Sequence, residues 1–410
     1  EVINLNFKCL IDLNQGSNII TLEYCDSKFE FNIDFTVSKP NYTILPLYII
    51  CTNHDGSFQA PNNTENTAKV ACAKIALVSQ LMQTLYANKL HDLGFDKKVF
   101  QFFKTDKSMK PVCEVFYSKL DVSEARKMNQ LDLWLYFGRE IMESSIAANS
   151  IKYLAFLSCT WYNGDNFNEN KHRKHEDILS LTDAHVALGG GGLALFGTGC
   201  LHTWPQSVEE IAFCFINDRV IDKQKLMDDS NYRGTYGACF STTFGSVCHE
   251  LGHCFDLGHT DVGVMGRGFD NIDRVFCINA QSLGNPTSNK CVKKLTPFTN
   301  IKKENFYNDF TFFTKNCGLI LNSHRWFNEF ETDSNKDNLI YIKEERFIKS
   351  KNGLVLVEIR TGSNEDVVNW WEFSQRIPMH TFRIPSSYYD VPDNIVFAID
   401  KIGQILKEIL

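Results

Sequence analysis

The sequence predicts a multidomain α+β protein, in which a central α/β domain is flanked by N- and C-terminal antiparallel β domains. Three observations support this class. The 410 residues suffice for two or three domains. Helical and strand-like segments alternate in the middle of the chain. Residues 1–60 and 331–410 are rich in β-branched and aromatic residues that stand between turn residues.

The elements follow from local patterns. Residues 1–60 contain three strand-like segments and no helical period, which predicts an N-terminal β domain. Residues 61–330 contain two predicted helices, Ala68–Asn88 and Gln130–Ala147, that alternate with strand-like segments, as in a largely parallel sheet. Residues 331–410 again contain strand-like segments, which predict a C-terminal β-rich domain. Nothing in the sequence assigns a role to the two β domains.

Composition narrows the classes of partner. The formal net charge of -7 and the absence of a basic cluster argue against a nucleic acid. No apolar run approaches the roughly 18 residues that a membrane span needs. The fourteen cysteines include no Cys-x-x-Cys pair, and several, such as Cys159, lie in apolar surroundings, which favours a cytoplasmic location. Secretion stays open, because the cysteine count is even and the sequence begins at Glu1. The oligomeric state stays undetermined.

The most informative segment spans residues 249–259 and reads HELGHCFDLGH. Residues four apart share a helix face, so His249 and His253 present two imidazoles to one metal ion. Glu250 stands beside the first ligand, where a carboxylate deprotonates a metal-activated water. His259 supplies a third imidazole. Three protein ligands with one open position are typical of a catalytic Zn²⁺ site.

Two alternatives concern this segment. Asp256 offers an oxygen ligand in place of the third imidazole; His259 is preferred, since zinc binds nitrogen readily and the spacing fits. A site without metal is disfavoured, because three histidines and a glutamate in one buried turn would be costly to desolvate.

The segment resembles the motif of the metzincin zinc endopeptidases, His-Glu-x-x-His-x-x-Gly-x-x-His with a methionine turn downstream. Five residues match it position by position, namely His249, Glu250, His253, His259 and Met265. The family glycine is Asp256 here, a residue that tolerates the left-handed conformation better than most. The resemblance implies that residues 61–330 form a metzincin-like zinc peptidase domain, with Met265 as the hydrophobic floor beneath the metal.

The resemblance also implies an edge strand above the metal that binds extended substrate by main-chain pairing. The candidate follows four consecutive glycines and consists of Leu193, Ala194, Leu195, Phe196 and Gly197. Small residues in this segment would let another backbone approach closely. A purely structural strand is the alternative. A phosphate-binding loop is disfavoured, because no Gly-Lys-Ser/Thr follows the glycines.

A narrower resemblance covers more of the chain. The run 189–205, GGGGLALFGTGCLHTWP, is similar to that of a zinc metallopeptidase family sometimes called Metallopep, as are residues 255–260 and 324–328. Under this resemblance, Asp256 is the family's own variant of the motif. The resemblance implies the enzyme class and leaves the substrate open.

Together these residues predict a zinc metallopeptidase, a hydrolase that acts as an endopeptidase on a peptide or protein substrate. Glu250 is the expected general base, which takes a proton from the zinc-activated water and later passes it to the leaving amine. Two other functions stay open: a zinc-containing binding protein whose β domains recognise a glycan or protein, and a zinc hydrolase of a non-peptide substrate. The intact Glu250 argues against the first, since a structural site has no use for a general base.

Overall fold

The structure is a computed structural model that describes most of the chain, namely residues 2–3, 6–24, 26–36, 41–103, 110–277, 311–330, 338–374, 376–389 and 391–410. It shows a mixed α/β protein with several separate sheets, as the sequence predicts at this level.

Two antiparallel hairpins come first, and the second is largely exposed. Their strands are β1 (Val2–Ile3), β2 (Asn6–Phe7), β3 (Gly16–Tyr24) and β4 (Ser27–Phe35). Strand β4 alternates apolar and polar residues, so one face carries four exposed apolar side chains, Phe29, Phe31, Ile33 and Phe35. This hairpin therefore adds little to the buried core.

The central sheet has six strands and one reversed edge. Its strands are β5 (Thr43–Thr52), β6 (Gln101–Phe102), β7 (Glu114–Asp121), β8 (Ile151–Leu157), β11 (Ala187–Gly190) and β12 (Leu193–Gly197). Strands β9 (Trp161–Tyr162) and β10 (Thr182–Asp183) form a separate two-stranded ribbon. The spatial order is β11-β12-β8-β5-β6, with β7 also beside β5. All neighbours are parallel except β11, which runs antiparallel to β12.

Strand β5 differs from the sequence prediction, which placed it in the N-terminal β domain. It pairs with β8 and β7 inside the central sheet, and its residues 44–51 are buried. A strand covered on both faces is a continuous apolar run, and its neighbours along the chain do not reveal its partners. Strand β5, which precedes the domain boundary expected at residue 60, therefore belongs to the same sheet as the strands that follow that boundary. The division into three domains stays a prediction.

Eight α-helices occur in the described part of the chain. They are α1 (Ala68–Asp92), α2 (Val122–Ala125), α3 (Gln130–Met142), α4 (His175–Leu179), α5 (Glu210–Phe215), α6 (Tyr236–Cys254), α7 (Asp273–Phe276) and α8 (Lys315–Ser323). Helices α1 and α6 share one core with the sheet residues Ala194 and Phe196. Helix α3 packs on the other face with Leu193 and Leu195. The sheet is thus covered on both sides.

Among the described helices, α1 alone is long and apolar enough to cross a bilayer by length and composition. Just over half of its apolar window, 56%, is buried inside the protein. Its residues Ile75, Val78 and Leu85 are fully buried against the central sheet. Such burial is typical of a core helix.

The C-terminal part is one antiparallel sheet centred on a long strand. Its strands are β13 (Leu339–Ile342), β14 (Phe347–Thr361), β15 (Asp366–Glu372), β16 (Met379–Arg383), β17 (Asn394–Asp400) and β18 (Ile405–Ile409). Strand β14 pairs with β13, β15, β16 and β17. Two side chains of β14 and two of β17 join the main core, namely Val355, Leu356, Phe397 and Ile399. The two sheets are therefore packed into a common interior.

Candidate metal centre and active site

Helix α6 carries the motif at its C-terminal end. The Thr235 hydroxyl caps its start by accepting a hydrogen bond from the Ala238 amide. The helix ends at Cys254, and Asp256 follows with a φ of 61°. This left-handed residue reverses the chain so that His259 returns to the helix face that bears His249.

The three histidine side chains converge on one point. The Nε2 atoms lie 3.1 Å apart for His249 and His253, and 3.2 Å apart for each of these residues and His259. Each Nδ1 faces a backbone carbonyl oxygen, at 2.7 Å, 2.9 Å and 2.6 Å respectively, those of Val264, Leu257 and Asn364. Because Nδ1 donates its proton to these oxygens, each Nε2 presents a lone pair to the same point.

This arrangement fits a metal ion. A tetrahedral zinc ion with Zn–N bonds of about 2.0–2.1 Å would hold its nitrogen ligands roughly 3.3–3.4 Å apart. Burial, followed by the neighbouring histidine, lowers the pKa of His249 to about 3 and that of His253 to about 4. Both imidazoles are therefore neutral at pH 7, as metal ligands must be. The three histidines form the one cluster with metal-ligand geometry in the described residues.

Asp256 does not join the cluster. Its carboxylate lies 3.2 Å from Nε2 of His324, and its backbone oxygen accepts a hydrogen bond of 2.7 Å from the Arg360 guanidinium. Burial is the largest influence and would raise the pKa of Asp256, but the hydrogen bond to His324 and the nearby charges of His324, Lys152 and Arg360 together lower that pKa. The geometry thus favours His259 over Asp256 as the third ligand.

The C-terminal sheet holds His259 in place. The turn between β14 and β15 provides the Asn364 carbonyl for its Nδ1, and the Glu365 carbonyl accepts from its amide at 3.2 Å. The Val367 amide donates to the His259 carbonyl at 2.9 Å. A segment more than 100 positions away therefore orients the third imidazole, and no local sequence signal predicted this.

Glu250 follows the first of these histidines in helix α6, and its carboxylate contacts the edge strand β11. The Gly189 amide donates a hydrogen bond of 2.7 Å to its Oε2. Burial raises the pKa of Glu250 to about 7, against the opposing effect of that amide. A Cβ atom at position 189 would overlap the Glu250 backbone oxygen, so only glycine lets the strand approach the helix this closely. Sequence reasoning noticed the glycines but not this contact.

Met265 lies beneath the helix. It is 1% exposed, and its Sδ would be 2.5 Å from a Cβ placed on Gly252, so sulfur and helix backbone are in direct contact. The preceding residue, Val264, provides the carbonyl that orients His249. The methionine turn therefore lies directly under the cluster.

The predicted edge strand was wrong. The segment Leu193–Gly197 is β12, which pairs with β11 on one side and β8 on the other. Residues 193–196 are at most 4% exposed and belong to the two cores. The edge is instead β11, Ala187–Gly190, because the glycines form a reversing turn in which Gly191 has a φ of 51°. The glycine turn therefore follows the edge strand β11 and does not precede one.

Several known proteins resemble this chain. A Schizosaccharomyces pombe protein named as a putative zinc metalloproteinase is 25% identical over 299 residues, which are 69% of this chain and 48% of that protein. A Saccharomyces cerevisiae protein with the same description is 36% identical over 100 residues, which are 23% of this chain and 14% of that protein. The matched region thus spans about half or less of these curated relatives.

Crystal structures of OgpA from Akkermansia muciniphila cover 91% of this chain. The wild-type enzyme in two crystal forms gives TM-scores of 0.47 and 0.49 at 13% identity, over 93% and 94% of its chain. A catalytically inactive form in complex with an O-glycopeptide gives 0.48 at 11% identity, over 93% of its chain. At the level of the whole sequence, residues 1–355 match the family described as "Putative peptidase family", Metallopep. The chain belongs to this peptidase family, as the runs around the tetraglycine and the histidine motif predict.

Proposed function

We propose that this protein is a zinc-dependent endopeptidase with a metzincin-like catalytic unit. The observation that carries the proposal is the convergence of three Nε2 atoms around the end of a helix that also carries the buried carboxyl of Glu250. Membership of the peptidase family and the names of the curated relatives support the same reaction class. The reversed edge strand over the helix and the methionine turn beneath it support the metzincin-like comparison.

His249, His253 and His259 would hold the zinc ion through Nε2. Bound zinc acidifies a water molecule and polarises the scissile carbonyl. Glu250 would take the proton of the attacking water; its position next to the first ligand in the sequence and its raised pKa, which suits proton transfer near neutral pH, support this role. The same carboxyl then passes the proton to the leaving amine. The Gly189 amide holds its Oε2 in position.

Strand β11 would align the substrate. The Gly189 amide points away from β12 and towards Glu250. Backbone groups two residues apart in a strand point to the same side, so the N–H and C=O groups of Ala187 also face away from β12. An extended peptide can pair with this edge by main-chain hydrogen bonds. Its scissile bond would then lie between the edge strand and the three histidines. In this proposal, the catalytic unit includes β5 in addition to residues 61–330.

The test measures zinc content and cleavage of a diverse peptide library with the native chain and with Glu250→Gln. We expect one zinc per chain in both proteins, and chelator-sensitive cleavage in the native chain alone, with a loss of at least about 100-fold in the variant. Undiminished cleavage by Glu250→Gln would refute the mechanism. Zinc without cleavage by the native chain would favour a non-peptide substrate or a binding role. Absence of zinc would overturn the site.

A further inference from the structure

A large cavity lies at the end of the edge strand. It has a volume of about 500 Å³ and opens between helix α3, the start of β8, the turn between β11 and β12, and Trp326. Its walls are mostly apolar, formed by Trp134, Leu135, Ile141, Met142, Leu193 and Trp326. Leu135 and Met142 remain about half exposed at its mouth. The cavity is therefore an open apolar pocket rather than an internal void.

Two glycines, Gly138 and Gly192, border this cavity, and the surrounding fold would accommodate a larger residue at either position. Gly138 lies inside helix α3, where glycine is less stable than alanine. A Cβ there would meet only the Leu193 Cδ2 atom, at an ordinary 3.6 Å, and its φ is not positive. A Cβ on Gly192 would meet nothing within 4 Å. Larger side chains at these two positions would narrow the cavity. The two glycines therefore maintain its volume.

The charges around the cavity are positive. Lys152 is buried in its wall, where it donates a hydrogen bond of 2.7 Å to the Gly191 carbonyl and lies 4.2 Å from the centre of the Trp326 ring. Arg139 stands exposed at the rim. None of the residues that line the cavity is an aspartate or glutamate. The pocket thus suits an apolar group that is next to a negative charge.

The cavity adjoins the end of the edge strand β11 that is proposed to bind substrate. Gly192 and Leu193 line it, and Leu193 pairs with Gly190, one residue beyond the Gly189 amide that holds Glu250. The Trp134 indole donates a hydrogen bond of 3.0 Å to the Leu193 carbonyl and so fixes the helix to this turn. At about 3.3 Å per residue, an extended peptide reaches the cavity two or three residues from the scissile bond.

We propose that this cavity is a substrate subsite that binds a large apolar side chain, two or three residues from the scissile bond, with an acidic residue beside it facing Arg139. The inference rests on the proposed peptidase function and adds a substrate class to it. Side chains of an extended peptide alternate between the two faces of a strand, so one of every two points towards helix α3. Burial of that side chain supplies the selectivity.

The first experiment compares cleavage of paired peptides that carry Phe or Ala at each position around the scissile bond. With the native chain, we expect Phe to raise kcat/KM about 10- to 100-fold at one position two or three residues away. Gly138→Leu fills the cavity and should reduce this ratio to nearly one. Gln130→Leu is the matched control, since it adds the same side chain to an exposed position of the same helix outside the cavity, and should keep the native ratio. Zinc content verifies folding of each variant.

The second experiment separates this proposal from the peptidase proposal. The probe is anilinonaphthalene sulfonate, an apolar ring system with a negative charge, titrated by fluorescence into Glu250→Gln and into the same chain with Gly138→Leu or Gln130→Leu. We expect Gly138→Leu alone to lose a binding site. That loss would support the cavity site even if no peptide were cleaved. Equal binding by all three proteins, or a Phe preference that survives Gly138→Leu, would overturn the subsite.

Discussion

At the scale of single residues, hydrogen bonds to Nδ1 decide which ring nitrogen of each histidine faces the cluster. Each Nδ1 proton is committed to a carbonyl, so three lone pairs face each other across 3.1–3.2 Å. Such an arrangement is repulsive without a cation and favourable with one. Backbone carbonyls from three different segments therefore orient the imidazoles for metal binding.

The identity of the third ligand gives the first prediction. We expect His259→Ala to weaken zinc binding by more than about 100-fold, because it removes a direct ligand, whereas the loss of an orienting group costs about 10- to 100-fold. Asp256→Asn should bind zinc nearly as tightly as the native chain, since this carboxylate faces His324. Competition with a chromophoric chelator measures both affinities. The reverse ranking of the two variants would identify Asp256 as the ligand.

His202 gives a prediction about pH. Burial, followed by the nearby Lys74 cation, lowers the pKa of this histidine from 6.5 to about 4. Between these pH values the unfolded chain binds more protons than the folded chain. The contribution of the neutral His202 to the free energy of unfolding is therefore complete above pH 6.5 and is lost as the pH falls from 6.5 to 4. We expect His202→Phe to remove about 1–3 kcal/mol of this pH dependence. Urea unfolding at pH 4.5 and 7 measures it, and equal differences in both proteins would contradict the assignment.

At the scale of elements, the turn between β14 and β15 contributes to the candidate metal centre although it lies outside the family match, which ends at residue 355. Arg360 fastens it. This guanidinium is fully buried, pairs with Glu358 and Glu365, and donates to the Asp256 carbonyl. One side chain thus ties the C-terminal sheet to the segment that leads into His259.

Substitution of Arg360 tests this connection. We expect Arg360→Met to cost about 3–5 kcal/mol, because it leaves the fully buried Glu358 carboxylate without its cation. Zinc affinity should also fall about 10- to 100-fold, since the Asn364 carbonyl loses its support. Adding Glu358→Gln should restore part of the stability but not the zinc affinity. Chemical denaturation and zinc competition measure the two effects, and full recovery of both would show that Arg360 acts through stability alone.

At the scale of the whole molecule, one core joins the central sheet, helices α1 and α6, and the C-terminal sheet. The metal cluster lies where these parts meet, because its carbonyl partners come from the helix end, the methionine turn and the C-terminal turn. Metal binding would therefore stabilise contacts between all of them. Unfolding should report on metal occupancy even though the site occupies few residues.

Removal of the metal tests this coupling. At a free zinc concentration about 100 times the Kd, zinc should add about 2.7 kcal/mol to the free energy of unfolding. We expect a chelator to lower Tm, and added zinc but not magnesium to restore it, because magnesium prefers oxygen ligands. Calorimetry with and without chelator measures the shift. An unchanged Tm in a chain that had bound zinc would mean that the site folds independently of the shared core.

Local periodicity made part of this protein predictable from its sequence. The spacing of His249 and His253 places both on one helix face, and Glu250 beside them, whatever the rest of the fold does. The motif runs also identified the peptidase family, and the alternation of patterns predicted a mixed α/β protein. These features depend on residues that are near one another in the chain, so the sequence alone contains them.

Contacts between distant residues were decided only by the tertiary structure. Strand β5 reads like its neighbours but pairs across the centre of the sheet, and the edge position passes from Leu193–Gly197 to Ala187–Gly190 because the glycines reverse the chain. His259 is oriented by Asn364, 105 positions away. Strand pairing and burial on both faces depend on which segments meet in space, and no local pattern records that. The sequence by itself determined the chemistry of the site, and the packing of remote segments decided its geometry.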